Sequence, residues 1–422
     1  MSEYWHSVIL EKDFCNGCTN CLHRCPTQAI RVIDGRATII NERCIDCGEC
    51  LKHCPFHAKG ALTDTLKEMK KFKYVIALPS IAMYGQFSQQ YDINKVFNCL
   101  YKIGFDHVFD VAYSADIISA HLAEIIEENR DQYLKPLIST YCPAITRLIQ
   151  MRYPSLIDHF ITLESPMEVS ARLARKKAKE LTDYTDDEIG VFFISQCPAK
   201  ITSVKNPLGL EKSKIDGAIS IESIYSRILK IYDELNDDEV VQIAKGSGRG
   251  IGWGKVGGQS YSIGLEDYIA VDGIDEVIKI LDELELGKLN NIEFMEAYAC
   301  ITGCSGGPLN VENPFIAKQR IRKISESKDT RKRSMYLDQF DRETLEWDRK
   351  IEALPTLKLD TDFKKALEKM AKIEEIFRIL PGIDCGACGA PTCRALAEDI
   401  VMRKASLADC VVRKNGGKRN ET

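Results

Sequence analysis

The sequence predicts an α/β protein flanked by two small cysteine-built domains. Three observations carry that prediction. A four-cysteine run is repeated near the start, strand and helix patterns alternate from about Tyr74 to Asn313, and a differently spaced cysteine set closes the chain. Sixteen of the seventeen cysteines fall into four sets of four, which leaves only Cys99 over.

The bulk numbers set the frame. At 422 residues, two to four domains are expected. An apolar share of 45% and a charged share of 28% are ordinary for globular protein. A net charge of −5 gives no general attraction to nucleic acid or to an anionic membrane. No apolar run reaches the roughly eighteen residues of a membrane span. The segment MSEYWHSVILEKDFC lacks the basic start and long apolar core of a signal peptide. Cysteine-rich sequence without an export signal reads as thiolate ligands in the cytoplasm and not as disulfides.

The first set is Cys15, Cys18, Cys21 and Cys25, followed by Pro26; the second is Cys44, Cys47, Cys50 and Cys54, followed by Pro55. Both read C-x2-C-x2-C-x3-C-P, the run of a two-cluster bacterial ferredoxin. Three thiolates in one tight loop reach different irons of a cube, and the cysteine before proline reaches the neighbouring cube. Structural zinc instead takes two separated C-x2-C knuckles. Cross-ligation therefore assigns Cys15, Cys18, Cys21 and Cys54 to one 4Fe–4S cluster, and Cys44, Cys47, Cys50 and Cys25 to the other. Ala29–Ile40 reads as a hairpin turning at Asp34-Gly35. Residues 1–65 are the expected ferredoxin domain.

The central region, 70–325, alternates. Strands are expected at Tyr74–Leu78, His107–Ala112, Pro136–Ser139, Ile189–Ile194 and Ile292–Tyr298, and helices at Asn94–Ile103 and Asp116–Asn129. This implies mainly parallel sheets, with ligands beyond the carboxyl ends of the strands. Cys142 follows PLISTY, Cys197 follows GVFFISQ, and Cys300, with Cys304 beyond it, follows IEFMEAYA. Thiols from three strand ends suit one shared metal site. They equally suit small buried hydrophobes, because remote cysteines carry no local signature. Cys99 lies on an apolar helix face and reads as core packing. Gly246–Gly258 contains a G-x-G-x-x-G match at Gly252, Gly254 and Gly257, read as a loop that lets backbone approach a cofactor closely more readily than as a nucleotide site. Ala317–Arg333 is basic and reads as a solvated face or as a docking strip for an acidic partner.

Residues 326–370 are expected to be a charged linker, with helices over Asp341–Pro355 and Thr361–Leu380. The last domain, 371–422, holds Cys385, Cys388, Cys393 and Cys410, spaced C-x2-C-x4-C-x16-C, with a helix-like run from Arg394 to Ala408. One more 4Fe–4S cluster in a small helical domain is expected there.

The three central cysteine segments resemble the active-site motifs of the iron-only (FeFe) hydrogenases. Thr140-Tyr141-Cys142-Pro143 resembles T-S-C-C-P, Gln196-Cys197-Pro198-Ala199-Lys200 resembles P-C-x-x-K, and Glu296–Gly307 resembles E-x-M-x-C-x-x-G-C-x-x-G. With the C-terminal cluster domain, the combination is similar to the hydrogenases assigned a sensory role. The resemblance implies that Cys142, Cys197, Cys300 and Cys304 bind the 4Fe–4S half of an H-cluster. Cys304 would also bridge to a di-iron subsite carrying CO, cyanide and an azadithiolate, installed by hydrogenase maturation proteins. Lys200 matches the lysine that bonds one cyanide, Pro79 and Ser80 match the loop at the other, and Glu296 matches a structural acid. The implied chemistry is reversible H2 oxidation and proton reduction, with electrons exchanged with a redox partner such as ferredoxin or a signalling protein.

Three positions depart from the productive enzymes. Tyr141 replaces the thiol that relays protons, Ser195 replaces one methionine at the cofactor, and Tyr298 replaces the other. A phenol has a reference pKa of about 10 against about 8.5 for a thiol, so it relays protons less well at neutral pH. Glu164 and Glu168 are candidates for a replacement path, with surface carboxylates as the plain alternative. The expectation is a slow hydrogenase used as an H2 or redox sensor. A productive ferredoxin-linked hydrogenase and a non-catalytic iron–sulfur protein on the same fold are the other readings.

Overall fold

The computed structural model describes residues 5–128, 134–328, 333–337, 340–354 and 359–414. These form two compact units, one made from both ends of the chain (Met1–Ala61 with Leu354–Thr422) and one from Leu62–Ala353.

In the first unit, strands β1 (Val8–Leu10) and β4 (Lys59–Ala61) pair antiparallel, and β2 (Ile30–Ile33) and β3 (Arg36–Ile39) form the expected hairpin. Asp34 and Gly35 both take positive φ, 50° and 71°, as a tight two-residue hairpin turn requires. Short helical turns at Asn20–His23 and Glu49–Lys52 carry Cys21 and Cys50. The far end of the chain supplies helix Phe363–Ile379, started by the Asp362 side chain accepting from the Lys365 amide, and helix Cys393–Val401, started by Thr392. Ile373 and Ile376 of the first pack with Ala395 and Leu396 of the second. The C-terminal loop meets the hairpin directly: the Val32 amide donates to the Gly389 carbonyl at 2.8 Å. Arg31 bonds Asp399 through two nitrogens, at 2.5 and 3.3 Å, and Arg43 bonds Glu398 at 3.3 Å. Gly389 is required there, because a Cβ would lie 1.9 Å from the Val32 oxygen.

The second unit is built on two parallel sheets. One has the order β6 (His107–Val108), β5 (Tyr74–Pro79), β8 (Ile189–Ser195), β9 (Gly217–Ser220). The other has the order β10 (Tyr268–Asp272), β11 (Phe294–Tyr298), β7 (Leu137–Ile138). All pairings in both are parallel. Strand β8 is buried along its whole length, as the unbroken apolar run IGVFFIS demands of a strand covered on both faces. Among the described residues, no helix is long and apolar enough to cross a membrane.

Several expectations are corrected. The strand expected over His107–Ala112 stops at Val108, because the Asp110 carboxylate accepts from the Ala112 amide and a helix, Val111–Glu128, begins. Asn129, its expected end, lies outside the described residues. Strands β9 and β10 were not expected; GAIS and YIAVD are too short and too poor in β-branched residues to stand out. Asp341–Pro355 is not a helix. After one turn at Arg342–Leu345 it runs extended, with Glu346 bridging to Leu163 and the Trp347 amide donating to Thr162. Leu345 and Trp347 are two residues apart, the spacing of a strand face and not of a helix face. The Trp347 ring lies on Gly209, where a Cβ would come within 2.2 Å of it. Of the basic stretch, helix Pro314–Ser327 buries Ala317, Ile321 and Ser325, and residues 329–332 lie outside the described residues. Cys99 is fully buried and donates to the Lys95 carbonyl, so it packs in the core as expected.

Buried carboxylates organise the glycine-rich segment. Asp116 accepts from the Ser247 amide and hydroxyl and from the Gly250 amide, all within 2.7 Å, and Asp110 accepts from Gly246 and from the Tyr84 hydroxyl. Asp116→Ala should therefore strand three buried donors and cost about 2–5 kcal/mol. A thermal midpoint several degrees lower is expected for the variant; an unchanged midpoint would show that the segment holds itself.

Candidate metal centres

Each central cysteine leaves a strand and turns into a helix or a tight loop. Cys142, after β7, and Cys197, after β8, each precede a helix, Pro143–Arg152 and Pro198–Lys205, whose first residue is proline. Proline suits that position because its missing N–H would have no partner there. Cys300 and Cys304 lie on the turn after β11, where Thr302 and Gly303 both take left-handed φ, 73° and 80°. The glycine segment packs under this turn: Val256 donates to the Thr302 carbonyl and Ser305 donates to the Gly254 carbonyl. A Cβ on Gly303 would meet the Val256 nitrogen at 2.7 Å. The segment's glycines thus serve close contact between backbones.

The fold brings the four thiols together. Cys142 and Cys300 are electrostatic neighbours of Cys304, as are Cys300 and Cys304 of Cys197. Burial pushes the Cys304 thiol up to about 11 and raises Cys197 well above the ordinary thiol range, while Lys200 draws both back toward the thiolate. Lys200 is 2% exposed, with its Nζ 3.3 Å from the Tyr141 carbonyl and 3.8 Å above the Tyr141 ring. Gln196 accepts from the Ser80 hydroxyl at 2.7 Å, and its buried Nε2 is left without a hydrogen-bond partner. Four thiols, a buried ammonium and an orphan donor suit an anionic iron–sulfur group.

Strands β5 and β8 are neighbours, so Pro79 and Ser80 end beside the Cys197 turn, and the Ser80 amide donates to Ile194. Ser195 is fully buried, but its hydroxyl is engaged with the Cys197 backbone; it positions that turn. Tyr298 is held by the Gln259 amide at 2.8 Å and donates to the Trp253 carbonyl. Tyr141 packs edge-on against Trp253 and Tyr298. Burial raises its phenol well above the ordinary value, and the neighbouring Cys304 adds to the rise. Glu296 accepts from the Ser260 amide and hydroxyl, a structural role.

Glu164 and Glu168 are buried, at 8% and 3% exposure, and are not surface carboxylates. Both line one small cavity with Thr140, Tyr141, Lys200 and Trp347; it leaves ≈ 40 Å³ for water centres, enough for a few waters. Glu168 accepts from the Ser213 hydroxyl and the Lys214 amide. Glu164 is pushed up to about 7 by burial, against the opposing pull of Arg172 at 3.4 Å. The sequence shows no sign of Arg172 or Trp347 at this cavity, since both arrive from remote segments.

In the first unit the thiols group as cross-ligation expects. Cys21 has Cys18, Cys54 and Cys15 as neighbours, whereas Cys44 and Cys47 have Cys50 and Cys25. Cys388 lies with Cys410 and Cys385, and Cys393 opens the last cysteine domain's helix with its amide on Asp384.

The raised Glu164 acid predicts a pH signature. An unfolded chain releases this proton near 4.5 and the folded one near 7. Stability from this group is thus complete below pH 4.5 and is lost as pH rises to 7, by about 3 kcal/mol. Glu164→Gln should remove that loss. Thermal midpoints of variant and wild type should diverge between pH 5 and 7 in the variant's favour; a constant difference would contradict the buried acid.

Residues 73–268 match the family described as "Iron only hydrogenase large subunit, C-terminal domain", residues 7–55 match the 4Fe-4S dicluster domain, and residues 380–412 match an Fe-S cluster family. The chain is 30% identical over 213 residues to the periplasmic [Fe] hydrogenase large subunit of Nitratidesulfovibrio vulgaris, covering 46% of this chain and 50% of that one. It is 23% identical over 314 residues to iron hydrogenase 1 of Clostridium pasteurianum, covering 63% and 54%. The chain spans about half the length of these curated relatives. A variant of the [FeFe]-hydrogenase HydA1 from Chlamydomonas reinhardtii shares the fold at a TM-score of 0.51 and 14% identity, over 69% of this chain and 97% of that one. The chain is an iron-only-hydrogenase-like protein with a 4Fe-4S dicluster domain and the FeFe-hydrogenase fold.

Proposed function

We propose that this protein is a slow, reversible hydrogenase that senses H2 or redox state. The observation that carries the reading is the convergence of Cys142, Cys197, Cys300 and Cys304 beside the buried Lys200. These cysteines would hold an H-cluster, with Cys304 bridging to its di-iron subsite and Lys200, Pro79 and Ser80 around the subsite's diatomic ligands. When bound, that group supplies the heterolytic splitting and formation of H2. The chain supplies the rest. Lys200 places a fixed positive charge against an anionic group in a water-poor pocket, where a charge-assisted bond is strong. Tyr298 and Tyr141 fill the space of more flexible side chains with rings locked by Gln259 and Trp253.

The proton path distinguishes this chain. A buried phenol raised above its ordinary value does not release a proton at neutral pH. Glu164, near 7, is matched to that task, and its cavity reaches Tyr141 and Lys200. Slow delivery by this longer route suits a sensor.

The remaining cysteines would hold two ferredoxin-type clusters and one C-terminal cluster, four 4Fe–4S clusters in all with the central one. Partners would be H2, protons, maturation proteins, and a redox protein such as ferredoxin or a signalling protein. A cytoplasmic setting suits this many thiolates.

Anaerobically reconstituted protein should hold about sixteen irons, four per cysteine quartet. After maturation, Tyr141→Cys should raise turnover roughly tenfold or more, within the range of a general acid–base contribution. Unchanged turnover would remove the phenol as the limit and leave the Glu164 route in control; wild-type turnover equal to that of productive hydrogenases would reject the sensor reading.

A further inference from the structure

The two halves of the ferredoxin domain are copies of one turn. After Cys25 and Cys54, the fourth residue of each half, Ala29 and Ala58, donates its amide to the cysteine sulfur, at 3.2 and 3.3 Å. Gln28 and His57 precede them in the same left-handed conformation, φ 52° and 51°. The next position breaks the symmetry. In the first half it is Ile30, 2% exposed; in the second it is Lys59, 7% exposed. An apolar residue is what this buried site ordinarily takes, and an unpaired buried ammonium is expensive. The Lys59 Nζ has no hydrogen-bond partner among the described residues. Its electrostatic neighbours are Cys21, of the first cysteine group, and Cys50, of the second, and it draws both thiols toward the thiolate.

We infer that Lys59 is an internal counter-charge set between the two ferredoxin-type clusters, holding both at a higher reduction potential than their cysteine ligands alone would give. The inference rests on the two-cluster reading of this domain. A cluster gains negative charge when reduced, and net charge nearby is one of the levers on its potential. Lys59 lies on β4, whose pairing with β1 sets Lys59 opposite Leu10, so the ammonium is carried on a hydrogen-bonded strand. Its role is positional: it touches no reacting group and acts through the field at both clusters.

The test is a potentiometric titration of the reconstituted full chain followed by the electron paramagnetic resonance of the reduced clusters. Lys59→Ile, which copies the other half, should move both ferredoxin-type potentials negative by about tenfold in the reduction equilibrium, ~59 mV for one electron. Lys59→Arg, which keeps the charge, should leave them near the wild-type values, a rescue that mere packing would not give. Where Lys59→Ile assembles poorly, Lys59→Gln removes the charge with a polar chain of similar reach. Unshifted potentials in the neutral variants, or a shift in one cluster alone, would overturn the inference. Absence of two reducible ferredoxin-type signals in the wild type would instead overturn the two-cluster reading beneath it.

Discussion

Four cysteines spread from 142 to 304 must meet at one point, and everything in the second unit follows from that constraint. Parallel strands solve it. Strands β7, β8 and β11 all release their chains at the carboxyl end, where the next residues are free to turn. Proline then starts a helix after Cys142 and after Cys197, and two left-handed residues fold the Cys300–Cys304 turn. The glycine segment lies under that turn with backbone against backbone, held from below by the carboxylates of Asp110 and Asp116. A ligand site at strand ends is thus a product of the sheet direction, not of the local sequence around any one cysteine.

Burial around the quartet has two consequences for charge. Thiols held in a dry pocket resist ionising, so the pocket needs positive charge, and Lys200 is fixed there by the Tyr141 carbonyl and ring. The same dryness pushes a carboxylate the other way. Glu164 keeps its proton to about 7 despite Arg172, while Tyr141 is raised beyond use as a carrier. One physical term, desolvation, therefore closes one proton path and opens another. In the first unit the same term makes Lys59 conspicuous, since a buried ammonium persists only where negative charge compensates it.

Legibility in the sequence tracked the range of the interactions. The hairpin at Asp34-Gly35, the cross-grouped cysteines and strands β5 and β8 were readable because turn chemistry, spacing and apolar runs are local. The end of β6 was missed because one side chain, Asp110, starts the helix early. The extended path of Leu345 and Trp347 was missed because their docking on Leu163 and Gly209 is tertiary. The burial of Glu164 was invisible for the same reason: its walls come from residues 140, 200 and 347. The glycine-rich match was ambiguous as sequence, and the structure resolves it as backbone packing against the Cys300–Gly307 turn.

The account stands on the claim that the quartet beside Lys200 accepts a complete H-cluster and not a cubane alone. Infrared spectroscopy of the protein after maturation reads this directly. The account predicts sharp bands of iron-bound CO and cyanide, with the cyanide bands displaced in Lys200→Ala by loss of a charged hydrogen bond, about 1.5–3 kcal/mol. Full cubane iron with no such bands would contradict it and leave an electron-transfer protein on a hydrogenase fold.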